Sequence, residues 1–342
     1  MISDVLLPYA LDPVEYTITP HGNGLINKTW YVQKNEEGNG FILQLINEGI
    51  FKQPEDIAFN IRLVSDHLKK YYPGYLFAAP LQTMDGEDMV RTGDGYFRMF
   101  PFITGSHTIE VVNDPLQAYE AAKQFGAFTK RLSGINTFQL KNTLPHFHDL
   151  ARRFRDFERA LLSGNPERTQ ESSTLIDYIH LNKNIVNTWE ELRNHIPVRC
   201  VHHDTKISNV LFDANDKGLC VIDLDTIMPG YFISDIGDMF RTYLSHVTEE
   251  DRDMKKIEIR KEYYDAIVQG YLLEMGESLT QIEKDHFLFA GKVMIYMQAI
   301  RFLTDYINDD VYYGSEYEGH NFIRAGNQAI LLGKLIHFEN TI

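Results

Sequence analysis

Strand-forming and helix-forming patterns occupy different parts of this chain, and their separation constrains the fold more than any single motif. Between residues 14 and 102, the β-branched and aromatic runs "VEYTITP", "TWYVQK" and "FILQLIN" alternate with turn-forming segments such as "NEEGNG", which predicts strands and a hairpin. One helix interrupts them, because Pro54 precedes apolar residues at helical spacing: Ile57, Ile61, Val64 and Leu68. From about Leu116 the long segments follow helical patterns. The sequence therefore predicts a small sheet lobe followed by a large helical lobe.

The boundary between the lobes is predicted between residues 104 and 115, where Gly105, Asn113 and Pro115 interrupt the pattern. We assign residues 1–104 to an N-terminal nucleotide-binding lobe. Residues 105–342 form a C-terminal helical lobe that carries the catalytic loop and the substrate site. The fold class is α+β, with an antiparallel sheet and one helix in the small lobe.

The net charge of −15 disfavours nonspecific binding to nucleic acid or to an anionic membrane, so we expect a small-molecule substrate as the partner. Cys200 and Cys220 cannot form a disulfide framework, which fits a reducing compartment and predicts a cytoplasmic protein. We expect no signal peptide, because "MISDVLLPYALDPVEY" has acidic residues and proline but no basic region, and no membrane span, because Lys292 interrupts the apolar stretch of residues 287–300.

Residues 201–230, "VHHDTKISNVLFDANDKGLCVIDLDTIMPG", combine short apolar runs with acidic residues and predict a hairpin whose ends carry carboxylates. Mg²⁺ prefers carboxylate and amide oxygens and takes its remaining ligands from phosphates, so Asn209 and Asp223 are predicted metal ligands. Asp204 is positioned to accept the proton of a hydroxyl nucleophile. The alternative is that Asp204 and Asn209 cap turns and that Asp223 only ends a strand.

The string "HHDTKISN" (residues 202–209) resembles the H-R-D-x-K-x-x-N catalytic loop of protein kinases, and "IDLD" (residues 222–225) stands where those enzymes have the D-F-G aspartate. In wider context the chain is similar to the aminoglycoside phosphotransferase and choline kinase superfamily. Within it, the chain looks most like the N-acetylhexosamine 1-kinases, which have segments similar to "FRMFPFI", "VIDLDTIMPG", "DIGDMFR", "RFLTDYINDDVYYG" and "HNFIRAGNQ". The resemblance covers residues 20–335.

This resemblance implies a two-lobed, protein-kinase-like fold that transfers the γ-phosphoryl group of ATP, with Mg²⁺, to the anomeric hydroxyl of an N-acetylhexosamine. It implies Asp204 as catalytic base, Lys206 as a γ-phosphate contact, and His202 as a residue that orders the loop. Asp235 or Asp238 would bind the loop's backbone. An aminoglycoside, choline or other amino-alcohol kinase is the alternative, and so is a nucleotide-binding module without turnover.

The segment "HGNGLINKTW" predicts a loop that covers the nucleotide, because glycine allows the backbone to approach phosphates closely. A plain hairpin turn is the alternative. The absence of GxxxxGK[ST] excludes the P-loop class. In "YFRMFPFITG", the main chain around residues 99–102 is predicted to bind adenine. The predicted nucleotide residues are Gly22, Asn23, Gly24, Asn27, Gln44, Met99, Phe100 and Phe102.

Gln44 stands where a kinase has its strand lysine, and Asn60 lies near the position of the usual glutamate partner. The charged pair is thus predicted to be replaced by neutral amides, with Lys28, Lys206 and Mg²⁺ supplying the positive charge. Sugar sites combine polar and aromatic side chains, and this mixture predicts five acceptor residues: His148, Asp225, Arg301, Asp305 and Arg324. Arg301 and Asp305 are four residues apart on a predicted helix, so a simple ion pair between them is the alternative.

Overall fold

The computed structural model describes residues 2–22, 26–34 and 40–342. Its strands are β1 (Tyr16–Pro20), β2 (Lys28–Lys34), β3 (Phe41–Leu45), β4 (Val90–Thr92), β5 (Gly95–Pro101), β6 (Arg199–Val201), β7 (Val210–Phe212), β8 (Gly218–Val221) and β9 (Met228–Gly230). Its helices are α1 (Pro54–Tyr71), α2 (Pro115–Arg131), α3 (Leu150–Ser163), α4 (Pro166–Glu171), α5 (Ser173–Leu181), α6 (Asn184–Leu192), α7 (Phe232–Tyr243), α8 (Lys261–Met275), α9 (Gln281–Asp285), α10 (Phe287–Ile307) and α11 (His320–Glu339).

The N-terminal part forms a five-stranded sheet in the order β1-β2-β3-β5-β4, and all neighbouring strands are antiparallel. The predicted α+β class and the β2–β3 hairpin are confirmed; residues 35–39 of its turn lie outside the described residues. Gly40 ends this turn, and a Cβ atom there would lie 2.3 Å from the Tyr31 ring, so a larger residue would displace that ring.

The two faces of the sheet have different surroundings because successive side chains of a strand point to opposite sides. The outer face packs on the N-terminal 3₁₀ segment Ile2–Tyr9 and forms a small core of its own, which contains Val5, Leu6, Tyr9, Val32, Leu43, Phe97 and Met99. The inner face carries Thr29, Gln44 and Arg98, which lie opposite one another in adjacent strands. This inner face is the one that meets the functional site.

Helix α1 begins at Pro54, as predicted, but its apolar side packs into the large core shared with the C-terminal helices. The Asn60 side chain strengthens this contact: its Nδ2 donates to the carbonyls of Lys141 and Ile227, both at 2.8 Å, and its Oδ1 accepts from the Lys141 N–H. Asn60 therefore does not pair with Gln44. The division into residues 1–104 and 105–342 stays a prediction.

The C-terminal part is mainly helical, as the sequence predicts, and α10 lies at its centre with contacts to α3, α7 and α11. By length and composition α10 could cross a membrane, yet 72% of its most apolar window is buried inside the protein, as in the core helix of a globular fold. Cys200 and Cys220 are both buried and unpaired.

Candidate active site

Two short antiparallel ladders bring the charged segments of residues 201–230 together. Strand β6 pairs with β9, and β7 pairs with β8, which confirms the predicted hairpin. The loop between β6 and β7 (residues 202–209, the catalytic loop) thereby lies beside the turn that follows β8 and begins at Asp223 (the metal turn, residues 223–227). The Ile222 N–H donates to the Asn209 carbonyl at 2.9 Å and joins the two segments directly.

Two buried aspartates of α7 hold the catalytic loop through its backbone. Asp235 accepts hydrogen bonds from the N–H groups of His202 (3.3 Å) and His203 (2.8 Å), and Asp238 accepts one from Thr205 (2.9 Å). This arrangement confirms the supporting role predicted for Asp235 and Asp238. The His202 ring adds a further link, because its Nε2 lies 2.9 Å from the Ile222 carbonyl and donates a hydrogen bond to it.

Two further histidines, His203 of the catalytic loop and His148, contact each other. His203 has a left-handed backbone, with φ of 70°, and its Nδ1 lies 3.3 Å from His148 Nδ1, which also contacts Ser234 Oγ at 3.0 Å. Burial lowers the pKa of His203 to about 4, and burial followed by the His203 ring lowers the pKa of His148 well below its usual range. Both rings are therefore neutral at pH 7.

This buried neutral histidine should make the protein less stable in acid. The unfolded chain protonates His203 near pH 6.5, whereas the folded chain does so only near pH 4, so the folded state binds fewer protons and loses stability as the pH falls through that window. The loss is about 1.4 kcal/mol per pH unit. Relative to His203→Asn, which tolerates the left-handed backbone, wild type should lose about 2 kcal/mol between pH 6.5 and 5, measured by urea unfolding. Parallel pH profiles for the two proteins would contradict this expectation.

The catalytic loop and the metal turn place four predicted residues at one point. Lys206 Nζ lies 3.2 Å from Asp204 Oδ2 and 3.9 Å from Asp223 Oδ2, and Asn209 Nδ2 donates to Asp204 Oδ2 at 3.0 Å and to the Asp204 carbonyl at 2.9 Å. Burial opposes ionisation of Asp204, but Lys206, His202 and Asn209 outweigh it and lower its pKa. Asp204 is therefore a carboxylate at neutral pH, able to accept a hydrogen bond from a hydroxyl.

The donor set of this cluster fits Mg²⁺. Because Nδ2 of Asn209 donates twice to Asp204, its Oδ1 points away from Asp204 and stays available as a ligand. The Asp223 side chain is 41% exposed and has a left-handed backbone, with φ of 60°, which turns it out of the β8 direction. One amide oxygen and one carboxylate leave the remaining positions of an octahedral ion to phosphate and water.

The structure places the predicted nucleotide residues unevenly. Gly22 has a φ of 72° and open space around it, whereas Asn23 and Gly24 lie outside the described residues. Asn27 is buried, and its Nδ2 donates to Asp225 Oδ2 at 2.7 Å, so it holds the metal turn and is closed to a nucleotide in this structure.

Two of the backbone groups predicted to bind adenine already have hydrogen-bond partners in this structure. The Met99 carbonyl already accepts from Leu81 N–H at 2.7 Å, and the Phe102 N–H donates to the Gly40 carbonyl at 3.0 Å. The Met99 side chain belongs to the outer core. Phe100 and Phe102 instead offer aromatic rings, the first 5.0 Å from the Arg98 guanidinium and the second 4.8 Å from Tyr31.

Gln44 and Asp225 meet at a buried arginine that the sequence analysis did not single out. The Arg98 guanidinium donates to Gln44 Oε1 from Nε (3.1 Å) and Nη2 (2.8 Å), and its Nη1 forms an ion pair with Asp225 Oδ1. The Asp225 residue of the metal turn is only 2% exposed, so its side chain is buried and does not line an open acceptor pocket. Lys28 does not add charge here, because strand alternation puts it on the outer face, opposite Thr29.

A signal for Arg98 was present in the sequence. An arginine inside the apolar run "FRMFPFI" is unusual, since arginine is almost never fully buried unless it is paired. The partner could not be identified, because Asp225 lies 127 residues further along the chain (225 − 98).

The remaining predicted acceptor residues occupy two neighbouring clusters. Arg324 forms ion pairs with Glu249 (2.6 Å) and Glu250 (3.0 Å) and lies over the Phe302 ring. Asp305 accepts from the N–H groups of Tyr312 (2.7 Å) and Tyr313 (2.9 Å). It does not pair with Arg301, whose Nη1 donates to Gln298 at 3.2 Å.

Arg301 and Asp305 line a cavity of about 400 Å³ between α3 and the end of α10. Four arginines surround it, together with two aspartates: Arg152, Arg153, Arg159, Arg301, Asp156 and Asp305. Asp156 is already paired with Arg152 and Arg159, whereas no carboxylate in the described residues lies within ion-pair distance of Arg153 or Arg301. Burial, and after it the Arg301 charge, lower the pKa of Arg153. The cavity is therefore electropositive.

A stack of aromatic rings connects this cavity with the catalytic loop. The Arg301 guanidinium lies 5.5 Å from the Phe147 ring centre, and Phe147 stacks on His148 with 4.2 Å between ring centres. His148 in turn contacts His203, the neighbour of Asp204. A continuous chain of side-chain contacts therefore links the cavity to the residue next to Asp204.

Comparison with known proteins gives consistent results. Residues 17–278 match the model of a family described as phosphotransferase enzyme family. Three similar solved structures are an aminoglycoside phosphotransferase from Alicyclobacillus acidocaldarius (13% identity, TM-score 0.67), a microcompartment-associated aminopropanol kinase (14%, 0.64) and a choline kinase from Cryptosporidium parvum (14%, 0.61). Each alignment covers 99% of this chain and 96 or 97% of the other chain. At these identities the structural matches show the fold.

Proposed function

We propose that this chain, which belongs to the phosphotransferase enzyme family, transfers the γ-phosphoryl group of ATP to the anomeric hydroxyl of an N-acetylhexosamine. The residues of the catalytic loop and the metal turn suit such a transfer, whose catalysis depends on positioning and electrostatics. Asp204 orients the attacking hydroxyl and accepts its proton. Asn209 and Asp223 hold Mg²⁺, which neutralises phosphate charge, and Lys206 supplies a second positive charge.

The electropositive cavity is the observation that carries the choice of acceptor. An amino alcohol or an aminoglycoside carries protonated amines at neutral pH, and juxtaposed like charges cost several kcal/mol. Among the residues that the structure describes, no carboxylate lies within ion-pair distance of Arg153 or Arg301. An acetamido group is neutral, and its carbonyl oxygen and the sugar hydroxyls accept the hydrogen bonds that guanidinium groups donate. The anomeric position and the choice of an N-acetylhexosamine among neutral sugars rest on the sequence resemblance.

The test compares each N-acetylated sugar with its free amine, because the two differ at one substituent. We expect kcat/KM for N-acetylglucosamine or N-acetylgalactosamine to exceed that for glucosamine or galactosamine by ~100-fold, as expected for a like-charge penalty of several kcal/mol. ADP release in the presence of Mg²⁺ is the measurement, with choline and spectinomycin in the same panel, and phosphorus NMR identifies the phosphorylated oxygen.

Faster turnover of any amine than of its acetylated form would contradict the proposed acceptor while leaving a kinase. ADP binding without Mg²⁺-dependent ADP release on any acceptor would favour the nucleotide-binding module instead. Arg301→Gln provides the matched variant, since it removes one charge from the cavity and should narrow the preference for the acetylated sugar.

A further inference from the structure

We propose that Arg98 is a positioning residue that fixes the metal turn against the inner face of the sheet, in place of the strand lysine that this chain lacks. The proposal rests on the proposed binding of Mg²⁺ and nucleotide at Asn209 and Asp223. It assigns to the sheet a contribution to metal binding that acts through Asp225.

Arg98 is enclosed in a way that excludes direct contact with a ligand. The residue is 1% exposed, and all three of its guanidinium nitrogens face protein groups: Nε and Nη2 face Gln44 Oε1, and Nη1 faces Asp225. A buried cation of this kind costs desolvation energy that only a well-placed counter-charge offsets. Its direct contact with the metal turn therefore runs through Asp225.

Gln44 orients the guanidinium group. Its Oε1 accepts both N–H bonds from Arg98, and its Nε2 donates to Thr29 Oγ1 at 3.3 Å, so both ends of the amide are used on three adjacent strands. A neutral acceptor is needed at this position, because a lysine would put a second buried cation beside Arg98. The Gln44 amide, at the position of the strand lysine, thus orients Arg98 toward the metal turn.

Asp225 lies two residues after the proposed metal ligand Asp223, and both its side chain and its backbone carbonyl are held by other segments. Its carboxylate receives Arg98 from β5 and Asn27 Nδ2 from the segment before β2. Its backbone carbonyl accepts from Thr143 Oγ1 at 2.7 Å. Because these contacts fix the turn that begins with the left-handed Asp223, they determine where the Asp223 carboxylate points. Residues that hold a metal ligand in its orientation typically contribute 10- to 100-fold to metal affinity.

The test measures how much Mg²⁺ tightens ADP binding, by calorimetry with Mg²⁺ and with EDTA. In Arg98→Met we expect the tightening to fall by at least ~10-fold, while ADP affinity in EDTA stays close to that of wild type. Arg91→Met, an exposed arginine on the neighbouring strand β4, is the matched control and should retain the full Mg²⁺ effect. An absent Mg²⁺ effect in wild type would overturn the proposed function and with it the premise of this proposal, whereas an effect that persists in Arg98→Met would overturn only the role of Arg98.

A double variant separates positioning from loss of stability. Arg98→Met alone leaves a buried unpaired carboxylate and could unfold the protein, whereas Arg98→Met with Asp225→Asn removes both charges. If the pair acts as one unit, the double variant loses no more of the Mg²⁺ effect than the worse single variant. An intact Mg²⁺ effect in folded Arg98→Met, or losses that multiply in the double variant, would overturn the proposal.

Discussion

Asp204→Asn is expected to lower kcat by about 10³-fold while leaving ADP binding intact, since general-base groups typically contribute 10²- to 10⁴-fold. The substitution keeps the size of the side chain and its contact with Asn209 but removes the charge that accepts the acceptor's proton. Lys206, His202 and Asn209 keep this carboxylate ionised against the effect of burial, so wild type has the base in its active form at neutral pH. The measurement is ADP release with N-acetylglucosamine, together with calorimetry of ADP.

Asp213→Asn is the matched control for this experiment. Asp213 lies in the turn of the same β7–β8 hairpin, where it accepts from the N–H groups of Asn215 and Lys217, and an asparagine oxygen accepts the same bonds. We expect activity near that of wild type. A folded Asp204→Asn protein that retains more than a tenth of wild-type kcat would show that Asp204 is not the base.

Lys206→Ala is expected to lower kcat by about 10²-fold, within the range for removing one group that stabilises transition-state charge. Asp204, against burial and together with Asp223, raises the pKa of Lys206, so the cation persists throughout the working pH range. Its loss has a second effect, because Lys206 is the main group that lowers the pKa of Asp204. The acid limb of the pH–rate profile should therefore move to higher pH.

Lys217→Ala, in the turn of the hairpin, removes a cation from the same segment without touching the cluster and should leave both kcat and the pH profile unchanged. An unaffected kcat in folded Lys206→Ala would contradict the role proposed for Lys206. A lowered kcat with an unmoved acid limb would contradict the coupling between Lys206 and Asp204.

Much of the fold could be predicted from the sequence because the local patterns are strong. The runs "TWYVQK" and "FILQLIN" become β2 and β3, and Pro54 begins α1. The catalytic loop is also local, since Asp204, Lys206 and Asn209 lie within six residues and spacing alone brings them together. Their contact with Asp223 follows from a short hairpin, which the polar turn between two apolar runs indicates.

The parts that sequence reasoning missed depend on contacts between distant segments. Arg98 in β5 and Asp225 after β8 are far apart in the sequence, and only the register of β3 with β5 places Gln44 beside Arg98. The hydrogen bonds of the Met99 carbonyl with Leu81 and of the Phe102 N–H with Gly40 could likewise not be predicted, because these partners come from other segments. The positive charge of the cavity between α3 and α10 likewise arises from the packing of these two helices.

Helix α1 lies between strands of the sheet in the sequence, but in the structure it packs with the C-terminal helices. Its apolar side and Asn60 attach it to the helical core, whereas the sheet has a small core of its own beneath the segment Ile2–Tyr9. If the sheet and the C-terminal helices move apart to admit nucleotide, the sheet moves together with the segment Ile2–Tyr9, and α1 remains with the C-terminal helices. Three connections would then bend: residues 46–53 before α1, residues 72–89 after it, and residues 102–114 between β5 and α2, so only one of them lies at the boundary that composition marks.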